Sequence, residues 1–393
     1  MRPVEDIDPR WMAKALELAA RGVGLVEPNP AVGAVVVRNG EMVGSGFHAR
    51  FGGDHAEIAA LREAGERAQG ATLYVSLEPC CHHGKTPPCT DAILRSGIER
   101  VVAAIRDPFP RVDGGGLRIL RGAGIPVVVG LLAEAAVEMN APYFKRVLTG
   151  RPYVTAKWAM TLDGKAACSG GGSQWISSEA SRSLVHQLRG RMDAIIVGIG
   201  TVLADDPLLT ARPPGPRVAA RIILDSLAAT PLHSRLVRSA HDAPVIVVVS
   251  SNAPAARLRS LEDQGCEILC LSGSHRIPIP GLLEILGSRM MTNVLVEGGG
   301  RVLGSFFDEG EVDAVETYIA PMIEGGDHAT TPARGRGVIA MHHALRLQEV
   351  RFEEVGGDLR IRASCPRDWR REAGQLALDP ATPSTLTAQI DGK

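Results

Sequence analysis

One histidine, one glutamate and two cysteines carry the residue types of a hydrolytic zinc centre. His55 and Glu57 stand two apart in His55-Ala56-Glu57, and Pro79-Cys80 is followed by Cys89 at the end of a proline-rich run. One imidazole and two thiolates make three ligands for an ion that prefers four, so a coordination position is left for water. Glu57 is not needed as a ligand and is free to carry protons.

The order matters as much as the types. His-x-Glu followed by Pro-Cys and a second cysteine is the pattern of zinc deaminases, in which the glutamate shuttles protons. Here residues 81–88 lie between the cysteines instead of two residues, so the pattern is kept at its ends and looped out between them. A closed structural site would need a fourth protein ligand, which Cys81, His82 or His83 could supply. Lys85 in the same loop is either a solvated charge or a contact for a substrate phosphate.

The elements that must position these groups follow from periodicity. Apolar residues at helical spacing predict a helix over Arg10 to Ala20. Two strand-like runs, Ala31 to Val37 and Met42 to Phe47, meet at Asn39-Gly40, a two-residue hairpin signal. A helix is expected from His55 to Ala64, a strand from Thr72 to Leu77, and a helix opening at Cys89, where a positive helix end favours a thiolate. Strand Val101 to Ile105, a helix around Leu117 to Arg121 and strand Val127 to Val129 continue the alternation, which reads as an α/β layer structure.

Asn140 to Tyr153, with two prolines, Gly150 and a basic cluster, reads as a boundary, and beyond it the alternation restarts. Strands are expected at Val154 to Met160, Ala194 to Val197, Arg221 to Leu224, Val245 to Val249, Glu267 to Leu271 and Val294 to Val296. Helices are expected at Glu179 to Arg189, Leu282 to Met290 and Val302 to Glu309. Strands at Val315 to Ile319, Leu345 to Val355 and Leu359 to Ile361 close this second α/β domain. The periodicity ends near Ser364, and a disordered tail is expected over residues 364–393.

Composition sets the outer bounds. A chain of 393 residues is long for one core, and 45% hydrophobic with 22% charged residues is the balance of a soluble globular protein. A net charge of −1 leaves no polyanion-binding footprint, so nucleic acid is disfavoured as a partner. No apolar run approaches membrane-spanning length, and a cytoplasmic location is expected. Seven cysteines, an odd number, argue against a disulfide framework.

Several long motifs, taken together, resemble the RibD family of bifunctional riboflavin-biosynthesis enzymes. In the first half these are Asn29-Pro30-Ala31-Val32-Gly33, His55-Ala56-Glu57 and Leu77-Glu78-Pro79-Cys80 through Cys89. In the second they are Thr161-Leu162-Asp163-Gly164-Lys165, Ser173-Gln174-Trp175-Ile176, the run from Gly200 to Thr210, and Glu297-Gly298-Gly299. The resemblance covers about residues 8–363. It implies a cytidine-deaminase-like domain over residues 1–147 and a dihydrofolate-reductase-like domain over 148–363. The first would deaminate 2,5-diamino-6-ribosylamino-4(3H)-pyrimidinone 5′-phosphate, and the second would reduce the product's ribose to a ribityl chain with NADPH.

Residue by residue, the resemblance makes His55, Cys80 and Cys89 zinc ligands and Glu57 the proton donor. It assigns Ser173, Arg189, Leu209, Arg212 and Glu297 to the reductase substrate. Ala159, Trp175, Thr201, Asp205 and Ser226 would line the NADPH site, with the loop Gly299, Gly300, Arg301, Val302, Leu303, Gly304 and Ser305. It also implies a homo-oligomer acting on a small molecule, with no nucleic-acid or membrane partner.

The residues themselves support part of this. Glu297 ends a strand and Gly298-Gly299-Gly300 opens a helix, which is either a pyrophosphate cradle or tight packing. Arg189 and Arg212 are either phosphate forks or ion-paired groups. Trp175 either stacks on a ligand or belongs to a core, and Lys157 and Asp163 are either acids near the hydride-transfer site or an internal ion pair. The chain departs from the family's usual residues at Glu27, Cys81 and Met322 and over residues 331–337. Two rival readings remain: a single-function deaminase with a degenerate second half, and a non-catalytic zinc-stabilised nucleotide sensor.

Overall fold

The run after Asp8 folds as α1 (Pro9–Ala20) in the computed structural model, which describes residues 7–84, 87–168, 175–272 and 276–377. Asp8 caps it by accepting the Arg10 N–H at 2.9 Å, Pro9 starts the first turn, and Met12, Ala15 and Ala19 are buried. The chain packs as two units, one reaching Thr149 and resuming at Asp368, the other spanning Gly150–Arg367.

In the first unit β1 (Gly33–Arg38) and β2 (Glu41–Phe47) form the expected hairpin, with Asn39 and Gly40 both at positive φ. Then come α2 (Ala56–Ala64), β3 (Thr72–Val75), α3 (Cys89–Arg95), β4 (Arg100–Ala103), α4 (Gly115–Gly122), β5 (Val127–Val129), α5 (Ala133–Met139) and α6 (Ala141–Thr149). The sheet order is β2-β1-β3-β4-β5; β3, β4 and β5 are parallel and β1 is antiparallel to both its neighbours. One face packs Ala34, Val36, Leu73, Val75, Val101 and Ala103 against Ala56, Ala60, Ile93, Leu117 and Leu120 of α2, α3 and α4. Gly44 and Gly46 let α2 approach β2 closely: a Cβ there would stand 2.3 Å from the Ala60 carbonyl oxygen and 2.5 Å from that of Ala56. That contact sets the height of the turn carrying His55.

The second unit holds β6 (Tyr153–Thr161), α7 (Glu179–Arg189), β7 (Ala194–Gly198), α8 (Ile199–Asp205), β8 (Ala220–Leu224), α9 (Arg235–Arg238), β9 (Val245–Ser250) and α10 (Ala255–Glu262). It continues with β10 (Glu267–Leu271), α11 (Ile279–Ser288), β11 (Asn293–Glu297), α12 (Gly300–Asp308), β12 (Ala314–Ala320), β13 (Gln348–Val355) and β14 (Asp358–Ser364). The nine-stranded order is β10-β9-β8-β7-β11-β6-β12-β14-β13, parallel as far as β12 and antiparallel across β14 and β13. Alternate residues of the parallel strands feed two cores, as sheets covered on both faces require. Val154, Ile196, Ile222 and Val296 meet α11 and α12, while Ile195, Val197, Ile223 and Val247 meet α9 and α10.

The two units divide between Thr149 and Gly150, inside the stretch from Asn140 to Tyr153, and α6 occupies most of that stretch, with Pro142 in its first turn, where a missing N–H costs nothing. Asn140 ties it down, accepting the Ala31 N–H at 2.8 Å and donating to the Ala31 carbonyl at 2.9 Å. One sequence expectation is corrected: no unstructured tail begins at Ser364. A helix, α13 (Asp368–Gln375), buries Trp369 and Ala373 and packs on α5 and α6. Residues 378–393 of that expected tail lie outside the described residues. Among the described residues, no helix is long and apolar enough to cross a membrane.

Candidate active sites

The zinc-type centre is built where two helices begin. His55 is the N-cap of α2, placing Glu57 in its first turn, and Cys89 opens α3. The Cys89 N–H points at the Cys80 sulfur at 3.3 Å, and the Thr90 N–H donates to the Cys80 carbonyl at 3.2 Å. Both helix starts direct positive ends at the thiols, which favours thiolate.

Nδ1 of His55 lies 3.5 Å from Cys80 Sγ and 3.2 Å from Cys89 Sγ, and the three donor atoms fall within 4.8 Å of one another. Tetrahedral zinc with ordinary Zn–N and Zn–S bonds spaces its ligands about 3.5 Å apart, so this donor set fits the ion. Cys81 does not join it, since its thiol faces the Arg111 carbonyl at 3.6 Å, and the His82 ring packs on Phe109 with centroids 5.9 Å apart. The closed four-ligand alternative is therefore not assembled among the described residues. Lys85 lies outside them.

Glu57 is buried beside the donors. Burial, reinforced by the charge on Cys80, pushes its carboxyl up to about 7, which suits a group that must take and return protons. His48, invisible to the motif, stands edge-on to His55 with centroids 5.3 Å apart. Its Nδ1 contacts the Asp54 carbonyl at 2.9 Å and its Nε2 reaches the Asn29 amide at 3.3 Å. The only sequence signal for it is a histidine closing an apolar strand.

Glu78 organises the loop behind Cys80. One oxygen accepts the N–H groups of Asp107 at 3.1 Å and Gly114 at 3.0 Å; the other accepts those of Gly116 at 2.9 Å and Leu117 at 3.2 Å. Burial pushes its carboxyl up, and the four N–H groups oppose that.

In the second unit β6, β7, β8 and β11 run parallel, so their carboxyl ends share one edge, where open α/β sheets bind ligands. A cleft of about 1660 Å³ opens there. It is lined by Ala159, Trp175, Thr201, Asp205, Ser226, Gly299, Gly300, Arg301, Val302, Leu303 and Ser305 of the expected cofactor set, and by Arg189, Leu209, Arg212 and Glu297 of the expected substrate set. Gly304 is not in the lining. It packs under the chain at Arg334, where a Cβ would stand 1.4 Å from the Arg334 carbonyl oxygen. Ser173 lies outside the described residues.

The open alternatives for the charged groups separate here. Arg189 is ion-paired, with Nε and Nη2 donating to the two Glu297 oxygens at 2.7 and 2.6 Å. Burial pushes Glu297 up, but Arg189 outweighs it and holds the carboxylate below its ordinary range. Arg212 has no carboxylate partner among the described residues; it donates to Thr210 Oγ1 at 3.1 Å, and burial followed by the nearby Arg189 lowers it. Lys157 lines the cleft, its ammonium 5.7 Å from the Tyr318 ring centroid, and burial pushes its pKa down. Asp163 is turned to the Glu324 and Gly325 N–H groups at 3.1 and 2.7 Å, holding a loop. Trp175 is 65% exposed at the cleft and carries the Arg182 guanidinium 4.5 Å from its ring centroid.

Fold and sites define a cytidine-deaminase-like domain joined to a dihydrofolate-reductase-like domain. The cytidine and deoxycytidylate deaminase zinc-binding region matches residues 5–105, and the RibD C-terminal domain matches residues 152–361. The riboflavin biosynthesis protein RibD of Aquifex aeolicus is 43% identical over 91% of this chain and 98% of its own, and that of Escherichia coli 40% over 81% and 89%. The solved structure of Acinetobacter baumannii RibD superposes with a TM-score of 0.82 at 36% identity, covering 91% of this chain and 99% of that one. A deaminase/reductase of Thermotoga maritima reaches 0.78 at 36%, covering 91% and 98%. The chain belongs to the RibD family, the bifunctional deaminase–reductases of riboflavin biosynthesis, which pair a zinc-dependent deaminase with an NADPH-dependent reductase.

Proposed function

We propose that the first unit deaminates 2,5-diamino-6-ribosylamino-4(3H)-pyrimidinone 5′-phosphate and that the second reduces the resulting 5-amino-6-(5-phosphoribosylamino)uracil with NADPH. The observation that carries the first step is the convergence of His55, Cys80 and Cys89, with no fourth protein ligand among the described residues and buried Glu57 beside them. Zinc held there supplies the Lewis acidity that activates water. Glu57 takes the proton released as water adds to the amino-bearing C2. It hands that proton to the ring nitrogen, then takes the second from the added hydroxyl as the carbonyl forms and passes it to the leaving amine, which departs as ammonia.

For reduction, NADPH supplies the hydride that the opened ribose receives at C1. The ion pair with Glu297 aims Arg189 without leaving its fork free, so Arg212, which has no carboxylate partner among the described residues, takes the substrate phosphate. The Gly299–Gly300 turn, at the start of α12, offers backbone to the cofactor pyrophosphate. Gly304 serves packing in this reading. A cytoplasmic location fits a chain in which Cys80, Cys81, Cys89, Cys168, Cys266 and Cys270 form no disulfide. A homo-oligomer draws support from edge strand β13, which leaves Phe352 67% and Val350 42% exposed.

The test follows ammonia release and NADPH oxidation in one tube, with the zinc-loaded chain and the diaminopyrimidine ribosylphosphate. Matched consumption is expected. Ammonia alone would favour a deaminase with a silent second unit, and neither signal would favour a nucleotide sensor.

A further inference from the structure

Strand β8 carries an arginine where its neighbours β7 and β9 carry Ile195 and Val245. Arg221 is fully buried, in register with Ile195 and Val245 of the layer that meets α9, and makes no ion pair with a carboxylate among the described residues. Its two terminal nitrogens are spent on oxygens instead, while its buried Nε has no hydrogen-bond partner among the described residues. Nη2 donates to the Ser239 carbonyl at 2.7 Å and to the Ala243 carbonyl, and Nη1 donates to Ser239 Oγ at 2.6 Å and to the Leu208 carbonyl at 3.3 Å. Three of these acceptors lie at the carboxyl end of α9 and just beyond it, where a cation is favoured. The fourth belongs to the segment that leads to Leu209.

That segment is held in an unfavourable shape. Asp206 and Leu209 both sit at positive φ, 39° and 58°, and for a branched side chain such as leucine this is an outlier. Such conformations persist only where the surroundings over-determine them. Three anchors do so: Asp206 Oδ1 accepts the Arg235 N–H at 2.7 Å, Arg221 holds the Leu208 carbonyl, and His186 Nδ1 contacts the Thr210 carbonyl at 3.2 Å. Leu209 and Arg212 line the cleft, and Arg221 does not.

We infer that Arg221 is a positioning residue of the reductase site, which acts through the Leu208 carbonyl to fix the Leu209 backbone against the substrate. The inference rests on the reading of Leu209 as a substrate contact. A buried cation suits the task because its planar fork spans α9 and the segment at once, and lysine, a point charge, could not.

The test compares Arg221→Met, the milder Ser239→Ala, and Leu209→Ala in the full zinc-loaded chain. The readouts are KM for the deaminated substrate, kcat, NADPH affinity by fluorescence, and deaminase rate. The first two variants are expected to raise KM about tenfold or more, with NADPH affinity and deaminase rate unchanged. Unchanged KM in variants that still bind NADPH overturns the inference, as does a fall in NADPH affinity parallel to the loss of substrate affinity. If Arg221→Met does not fold, Ser239→Ala decides by the same criteria. If Leu209→Ala raises KM and the other two do not, Leu209 is a contact and Arg221 does not position it. If none of the three raises KM, the assignment of Leu209 falls as well.

Discussion

Arg189 grips Glu297 through two parallel hydrogen bonds of 2.7 and 2.6 Å, with both side chains largely removed from solvent. The pair joins the end of α7 to the end of β11 at the mouth of the cleft. Glu297→Gln would leave a buried cation without its counter-charge, at a cost of about 3 kcal/mol or more. Denaturant unfolding of the second unit should show that loss. Arg189→Met combined with Glu297→Gln should recover part of it, because the lone charge is gone.

Glu57→Gln should retain zinc and lose deamination by a factor of about 10² to 10⁴, since the amide cannot exchange protons. Reduction of supplied 5-amino-6-(5-phosphoribosylamino)uracil should be unaffected. Metal analysis beside the two rates checks this, and loss of both activities in a folded variant would count against independent sites.

Glu78→Gln should disturb the loop behind Cys80. An amide presents its NH₂ to two N–H groups that need an acceptor, so two of the four bonds are lost whichever way it turns. Gly116 is equally constrained, as a Cβ there would stand 2.0 Å from the Pro79 carbonyl oxygen. Weaker zinc retention against a chelator is expected from Glu78→Gln and from Gly116→Ala, with reductase activity unchanged.

Asp163 gives a pH-dependent contact. The Thr161 hydroxyl and the Gly325 and Glu324 N–H groups hold its carboxyl down to about 2, from an ordinary 3.8. A group with a lowered folded pKa contributes stability that is full above its unfolded value and lost as the pH falls through the folded one. The protection of the Gly325 amide, taken against its free exchange rate at each pH, should therefore fall between about pH 4 and pH 2, and Asp163→Asn should show reduced protection already at neutral pH.

Trp369→Ala should cost about 3 kcal/mol or more, the usual penalty for emptying a buried aromatic site. The loss should appear in the melting of the first unit and in deaminase half-life, and leave the reductase unmoved. Arg370, which pairs with Glu138 at 2.7 Å, is expected to matter less, as exposed pairs do.

Much of this was legible in the residues. The buried strands of both sheets follow their apolar runs, and the His55, Cys80, Cys89 and Glu57 constellation needs only residue type and spacing. What could not be read is what a polar residue touches at long range. Arg189 as a sequence letter serves equally for a phosphate or for Glu297, and only the fold puts the carboxylate 108 residues away in its fork. Glu78 looks like a neighbour of a ligand, yet its partners lie 29 to 39 residues on. The helix α13 has only Trp369 and Ala373 to bury among charged residues, with Leu376 just past its end, too short a stripe to stand out.

The return of α13 to the first unit also has a temporal side. The first unit is written in two instalments, with the whole of residues 150–367 between them. On a ribosome, the groove of α5 and α6 that receives Trp369 must wait while more than two hundred further residues emerge. The deaminase unit is begun first and finished last, so a chain arrested anywhere in the reductase carries a zinc site on an unfinished scaffold.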